Sequence, residues 1–315
     1  MREEFYFMSS CGNTHIHAVT WKPEGEIKAI LQISHGMAEH ILRYDEFAKY
    51  LSARGYLVVG HDHLGHGKSV SSADNYGYFK GQQGYKNGNE ALIQDIHLLR
   101  ERITKEYPPL PYFILGHSMG STLLRQYRLI HGQGLQGVIL SGMIAHKSST
   151  ALYTARFLSG LIGAFKGTHY RSKFLDGLAL GKYTQVMKRQ KATENWVTRD
   201  DEKLKEYMND ERCGFIFTTD GYTHLFGGML RLNKEENSLQ FPKTLPILMV
   251  SGTSDPVGDF ESGIRKNYEH FITLGANNIT LQLYPDARHE VLNEVNREEV
   301  YQDIDDWMEN LIHNR

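Results

Sequence analysis

Residues 111–120 read P-Y-F-I-L-G-H-S-M-G, and no other stretch restricts the fold so tightly. Residues 112–115 are a short apolar run suited to a buried parallel strand, and they lead straight into Gly116-His117-Ser118-Met119-Gly120, a G-x-S-x-G turn. Leu123, Tyr127 and Ile130 then recur at helical spacing, with Gly132 placed to cap the helix. Such a strand, turn and helix hold the central serine at positive φ with its hydroxyl exposed. The flanking glycines are needed because a side chain there would strike neighbouring backbone. Ser118 is therefore a candidate nucleophile. With 30 glycines in 315 residues the pattern arises by chance roughly 0.2 times, and a serine in such a turn also makes a good N-cap, so its partners must decide.

The rest of the chain supplies the sheet that this turn requires. Residues 3–8 and 15–21 alternate as two strands of an opening hairpin. An apolar run at 27–33 ends in His35-Gly36-Met37-Ala38-Glu39-His40, after which Tyr44, Phe47, Ala48 and Leu51 share one helix face closed by Gly55. Residues 56–59 form another buried strand leading to a loop from His61 to Ser69, and Leu92, Ile96, Leu99 and Ile103 mark a longer helix. A strand follows at 137–141. This alternation predicts an α/β fold with a mostly parallel central sheet flanked by helices, its reactive loops lying beyond the carboxyl ends of the strands. From 147 to 241 only helical patterns and polar loops occur. That stretch is expected to be an inserted, mainly helical cap (lid), with 1–146 and 242–315 forming the core. Strands at 245–250 and 279–284 resume the alternation, and a last helix begins at Asn296.

A serine hydroxyl needs a base to take its proton and an acid to orient that base. The strand at 245–250 ends in Ser251-Gly252-Thr253-Ser254-Asp255-Pro256, and the next strand ends in Tyr284-Pro285-Asp286-Ala287-Arg288-His289. Asp255 and His289 thus fall at the same sheet edge as Ser118, in the chain order Ser, Asp, His. Asp286 lies too near His289 in one loop, and Asp259 lies too far into the following helix, to be the preferred acid. The oxyanion of an acyl transfer needs two donors. The N–H of Met119, next to the nucleophile, is one, and the N–H of Met37, in the His35-Gly36-Met37 loop, is the other choice. His61, Asp62, His63 and His66 suggest a metal at first sight, but the order of ligands in a two-metal hydrolase is absent; a structural turn is the better reading, and no metal or cofactor is expected.

The formal net charge of −2 and the absence of a basic run give no reason to expect nucleic acid. Cys11 and Cys213 are too few for a disulfide framework. The N-terminus lacks an apolar leader and no stretch approaches the roughly 18 apolar residues of a membrane span, so a cytoplasmic protein is expected.

H-G-M-A-E-H with Arg43-Tyr44 downstream, D-H-L-G-H-G-K-S, G-H-S-M-G, S-D-P and R-H-E together resemble the monoglyceride lipase and lysophospholipase branch of the α/β-hydrolases, also labelled serine aminopeptidase-like. The resemblance covers both core portions. It implies Ser118, Asp255 and His289 as the triad, Met37 and Met119 as oxyanion donors, and Asp62, Gly65, His66, Gly67 and Ser69 as a structural turn. The expected activity is cofactor-free hydrolysis of an acyl ester, foremost a monoacylglycerol or lysophospholipid. The same triad also serves short soluble esters or amides, and an intact triad speaks against a purely ligand-binding role. His35 and Gly36 are expected to border the substrate. The apolar stripe that includes Leu158, Leu161, Ile162 and Phe165 is expected to line an acyl tunnel or to rest on a membrane surface.

Overall fold

Side chains alternate across a strand, so each buried strand feeds two apolar layers at once. In the computed structural model, which describes residues 1–79, 88–189, 195–238 and 242–313, eight strands form one sheet. In chain order the elements are β1 (Arg2–Met8), β2 (His15–Trp21), β3 (Ala29–Ser34), α1 (Asp45–Ser52), β4 (Tyr56–His61), α2 (Gly88–Glu106), β5 (Tyr112–His117), α3 (Met119–His131) and β6 (Gly137–Ser141). Then come α4 (Ser149–Lys166), α5 (Lys173–Asp176), a π-helical turn (Gly177–Gly181), α6 (Lys182–Arg189), α7 (Asp201–Asn209) and α8 (Thr219–Ser238). The chain returns to the sheet as β7 (Ile247–Gly252), α9 (Phe260–Thr273), β8 (Ile279–Tyr284) and α10 (Arg297–His313). The sheet order is β1-β2-β4-β3-β5-β6-β7-β8. β2 runs antiparallel to its neighbours, and every pair from β4 onward is parallel.

Ile30, Leu57, Ile114 and Val138 project into one layer with Ile96 of α2 and Leu123 of α3. Leu31, Val58, Leu115 and Ile139 project into the other, with Phe47 of α1 and Ile304 of α10. The parallel core and the helical insertion between β6 and β7 match the sequence reading. The expected last residue of the cap, Phe241, lies outside the described residues. Two details differ. Ile130, placed on the core face of α3 by periodicity, is 49% exposed, while Leu123 and Tyr127 of the same helix are buried. Gly132 closes α3 in a right-handed conformation, φ −68°, so the left-handed backbone falls to Gly134 instead. The insertion is tied down by α3, whose Arg125 and Arg128 both hold the buried Glu236 carboxylate of α8. Among the described residues no helix is long and apolar enough to cross a membrane.

The His61–Ser69 loop is a structural turn. Asp62 accepts from Ile41 N–H and Lys68 N–H, both at 2.8 Å, and meets His17 Nδ1 at 2.8 Å; Ser69 Oγ donates to Asp62 O. Around it His35, His61, His63 and His66 are fully buried, and burial lowers His61 and His66 to about 4 from an ordinary value of 6.5. The folded state therefore prefers these rings neutral. Their contribution is complete above pH 6.5 and is lost as pH falls from there toward 4, by about 3 kcal/mol for each ring. Unfolding free energies from denaturant titrations should be level above neutrality and fall steeply across that window. A flat profile down to pH 4 would contradict the burial argument.

Candidate active site

The turn after β5 holds Ser118 at φ 51° and ψ −114°, a backbone conformation that is rare for a side chain larger than hydrogen and marks a functional constraint. The Ser118 N–H donates to Ser141 O at 2.9 Å on β6. A Cβ on Gly120 would collide with Ser34 O, and one on Gly116 would stand 2.6 Å from Gly120 O. Both glycines are thus required by the approach of α3 to the sheet. A Cβ on Gly36 would be 3.3 Å from Ser118 Cβ, which shows how closely the loop after β3 packs on the serine.

His289 reaches the same edge from the loop after β8. Its Nδ1 lies 2.9 Å from Asp255 Oδ2, and Asp255 Oδ1 accepts the Val257 N–H at 2.8 Å. Asp255 is fully buried, whereas the rival acids Asp259 and Asp286 are exposed. Burial alone would lower the pKa of His289, but the attached Asp255 carboxylate outweighs it and holds the ring above its ordinary value. The neighbouring His117 ring, 4.7 Å away, is pushed down to about 3 by burial and by His289, and so stays neutral. His289 and Ser118 line one cavity. The Ser118 hydroxyl makes no hydrogen bond to a described protein group, the looser geometry common before substrate binds. The Trp196 ring lies against His289, ring centroids 5.4 Å apart and planes tilted by 51°.

The loop after β3 is fixed by charges buried behind it. Glu39 Oε1 accepts the Gly36 N–H at 2.5 Å and the Tyr44 hydroxyl at 2.9 Å, and Glu39 Oε2 meets Arg43 at 2.7 Å. Arg43 also grips Glu290, the residue after His289, with two bonds of 2.7 and 2.6 Å. Burial would raise Glu290, but the Arg43 guanidinium holds it at about 2; at Glu39 burial prevails and its value rises. One guanidinium thus joins the loop of Met37 to the loop of His289. The N–H groups of Met37 and Met119 donate to no described protein group, as free donors for a substrate oxygen must. Removing one partner of a buried ion pair leaves an uncompensated charge. Arg43→Met should cost about 3–5 kcal/mol in denaturant unfolding, and a loss under 1 kcal/mol would show that the cluster is dispensable. Glu39 and Arg43 were readable only as a pair four residues apart; the link to Glu290 had no sequence signal beyond its place beside His289.

Two cavities meet at Ser118. One, of about 200 Å³, is apolar, lined by Met37 and Met119 from the core, Leu152 and Ala155 of α4, and Phe226 and Met229 of α8. The other, of about 270 Å³, is more polar and is bordered by Gly36, Glu39, His117, Tyr207, His289 and Glu290. Of the residues the sequence points to as substrate contacts and oxyanion donors, Gly36, Met37 and Met119 border these cavities, whereas five others do not. His35 is fully buried, its Nδ1 on Gly36 O and its Nε2 accepting the His63 N–H, so it props the loop from beneath. Leu158, Leu161, Ile162 and Phe165 line neither cavity. Leu158 and Ile162 pack on the apolar core, while Leu161 and Phe165 are 42% and 81% exposed. The reason is geometric: α4 is apolar on two faces, and the cavity meets it through Ala151, Leu152 and Ala155, one turn nearer its start.

His40, Asp210 and Cys213 bring three metal-competent atoms within 4.8 Å of one another. Both Asp210 oxygens already carry Arg212, at 2.9 and 2.6 Å, and Oδ2 also meets His40 Nε2. The trio is thus an ion-paired corner, and its guanidinium occupies the lone pairs a cation would need.

The profile of the serine aminopeptidase S33 family matches residues 25–296. A monoglyceride lipase of Rattus norvegicus is 28% identical over 287 residues, covering 88% of this chain and 84% of that one. A monoglyceride lipase homolog of monkeypox virus is 26% identical over 317 residues, covering 97% and 98%. Among solved structures, a thermostable carboxyl esterase from Bacillus coagulans, crystallised with glycerol, superposes with a TM-score of 0.87 at 29% identity, covering 99% of both chains.

Proposed function

Because the chain belongs to the serine aminopeptidase S33 family of α/β-hydrolases and is a serine ester hydrolase, we propose that it cleaves single-chain lipid esters, monoacylglycerols or lysophospholipids, through an acyl-enzyme on Ser118. The observation that carries this reading is the junction at Ser118 of an apolar cavity with a polar one, which suits an acyl chain on one side and an alcohol on the other. The domain reading goes with it: 1–146 and 242–315 as the catalytic core, and 147–241 as a cap that roofs the acyl side.

In the proposed reaction His289 takes the proton of Ser118 Oγ, which attacks the ester carbonyl. The tetrahedral oxyanion is held by the N–H groups of Met37 and Met119. The carbon–oxygen bond breaks as His289 returns the proton to the leaving alcohol, and water activated by the same ring releases the acid. Asp255 keeps the proton on His289 Nδ1, so that Nε2 faces the serine as an acceptor. No step calls for a cofactor.

The outer face of α4 bears Tyr153, Phe157, Leu161 and Phe165, each at least 42% exposed and four residues apart. That stripe suits brief contact with a lipid surface, from which a single-chain substrate would enter the cap. A short-chain soluble carboxylesterase is the second reading, favoured by the likeness to the bacterial carboxyl esterase. Hydrolysis rates for p-nitrophenyl esters of two to sixteen carbons, followed by monoacylglycerol above and below its micelle concentration, decide between them. Rates that peak at medium or long chains and rise with micelles support the lipid reading. A peak at two to four carbons overturns it.

A further inference from the structure

Residues 147–189, the first half of the helical insertion, carry eight lysines and arginines but a single acid, Asp176, for a net charge of +7. The whole chain stands at −2, so the rest of it carries −9. Arg171 is spent on the backbone carbonyls of Tyr76 and Ile216, whereas Arg156, Lys166, Lys173 and Lys182 are exposed. Among the described residues no carboxylate pairs with any of these four, while Lys49, Lys203, Arg265 and Arg297 elsewhere each hold one. Three of the four stand next to an exposed ring in the chain. Arg156 precedes Phe157, Lys166 follows Phe165 and Lys173 precedes Phe174, and the rings are 68%, 81% and 56% exposed. Consecutive helix positions point about 100° apart, so each cation borders its ring without covering it. Leu178, on the π-helical turn, is 46% exposed and also lines the apolar cavity at Ser118. Through that side chain the exposed apolar surface reaches the cavity wall.

We propose that this face docks on an anionic bilayer, its rings entering the interface while Arg156, Lys166 and Lys173 meet negatively charged headgroups. The inference rests on the lipid-ester reading and deepens it, because it names the charge of the surface from which the lipid is taken. An apolar stripe alone would bind neutral and anionic membranes alike. Each cation held near an anionic surface strengthens binding about fivefold, an attraction that salt screens within about 10 Å at 0.1 M. A second copy of the chain is the less suitable occupant, since a two-fold pairing would set two faces of the same positive charge against each other.

The test is co-sedimentation of the full chain with vesicles of phosphatidylcholine alone and of phosphatidylcholine mixed with phosphatidylserine, at low and high salt. The wild type should favour the anionic vesicles by more than tenfold at low salt and lose that preference at high salt. The triple variant Arg156→Gln, Lys166→Gln, Lys173→Gln should bind anionic vesicles about a hundredfold more weakly and neutral ones as the wild type does. Its three changes are on exposed side chains, and an unchanged kcat/KM for a short soluble p-nitrophenyl ester verifies that it is folded. Phe157→Ser with Phe165→Ser should weaken binding to both kinds of vesicle. A wild type that binds both kinds equally or neither, or a triple variant that binds as the wild type does, overturns the proposal. So does light scattering that shows the wild type, without vesicles, doubling in mass with concentration while the phenylalanine variant stays monomeric, which assigns the face to a second copy. Vesicle binding is read without turnover, so its failure is separate from that of the lipid-ester reading, which shows in the chain-length profile of the hydrolysed esters.

Discussion

Ser118→Ala is expected to lower kcat for p-nitrophenyl ester hydrolysis by a factor on the order of 10⁶ without moving the thermal unfolding midpoint. The two halves of that result come from separate features. Activity collapses because the only oxygen poised on the strained turn, beside the unused N–H groups of Met37 and Met119, is gone. Stability holds because the Ser118 hydroxyl bonds no described protein group, so its loss orphans nothing. Alanine also tolerates φ 51° no better and no worse than serine does. Purified wild type and variant, assayed side by side with a far-UV melt, check both halves. Ester hydrolysis that survives the change would place the nucleophile elsewhere. A large drop in midpoint would mean that the serine has a structural task.

Asp255→Asn should follow, with a loss of up to about 10⁴ in kcat. The geometry says why so conservative a change is harmful. Asp255 Oδ1 is committed to the Val257 N–H and Oδ2 to His289 Nδ1. An asparagine must turn its oxygen to the Val257 donor, which points its NH₂ group at His289 Nδ1. The ring then keeps its proton on Nε2, facing the serine with a donor where an acceptor is needed. Asp259→Asn and Asp286→Asn, both on exposed acids, serve as controls and should stay within about threefold of wild type. Should Asp286→Asn cause the large loss, the assignment of the acid would be wrong.

The sequence carried the sheet and the convergence of Ser118, Asp255 and His289 because these depend on strand ends, and a strand end is marked locally by an apolar run meeting a polar loop. The lining of the cavity carried no such mark. Periodicity identified α4 as apolar but could not say which face meets the cavity, since Leu152 and Phe157 look alike to a periodicity count while one is buried and the other is 68% exposed. Trp196 sits in a segment without regular structure, where spacing has no meaning, and its contact with His289 spans 93 positions of chain. His35 was misplaced for a related reason. A histidine beside the oxyanion loop reads as a substrate contact, yet both ring nitrogens are spent on backbone groups beneath that loop. The Arg43 cluster was half visible, because Glu39 lies one helical turn from Arg43 while Glu290 joins them only in space.

The close contact of Trp196 with His289 makes the proposed base optically visible. The chain has three tryptophans. Trp21 has its Nε1 on Asp45 and Trp307 packs edge-on against Phe113, both outside the two cavities. An imidazolium accepts charge from an excited indole far more readily than a neutral imidazole does, so emission from Trp196 dims as His289 gains its proton. The protonation state of this ring is therefore readable as light from the native chain, with no substrate present and no label attached, and a ligand that enters the polar cavity and displaces the indole announces itself in the same signal.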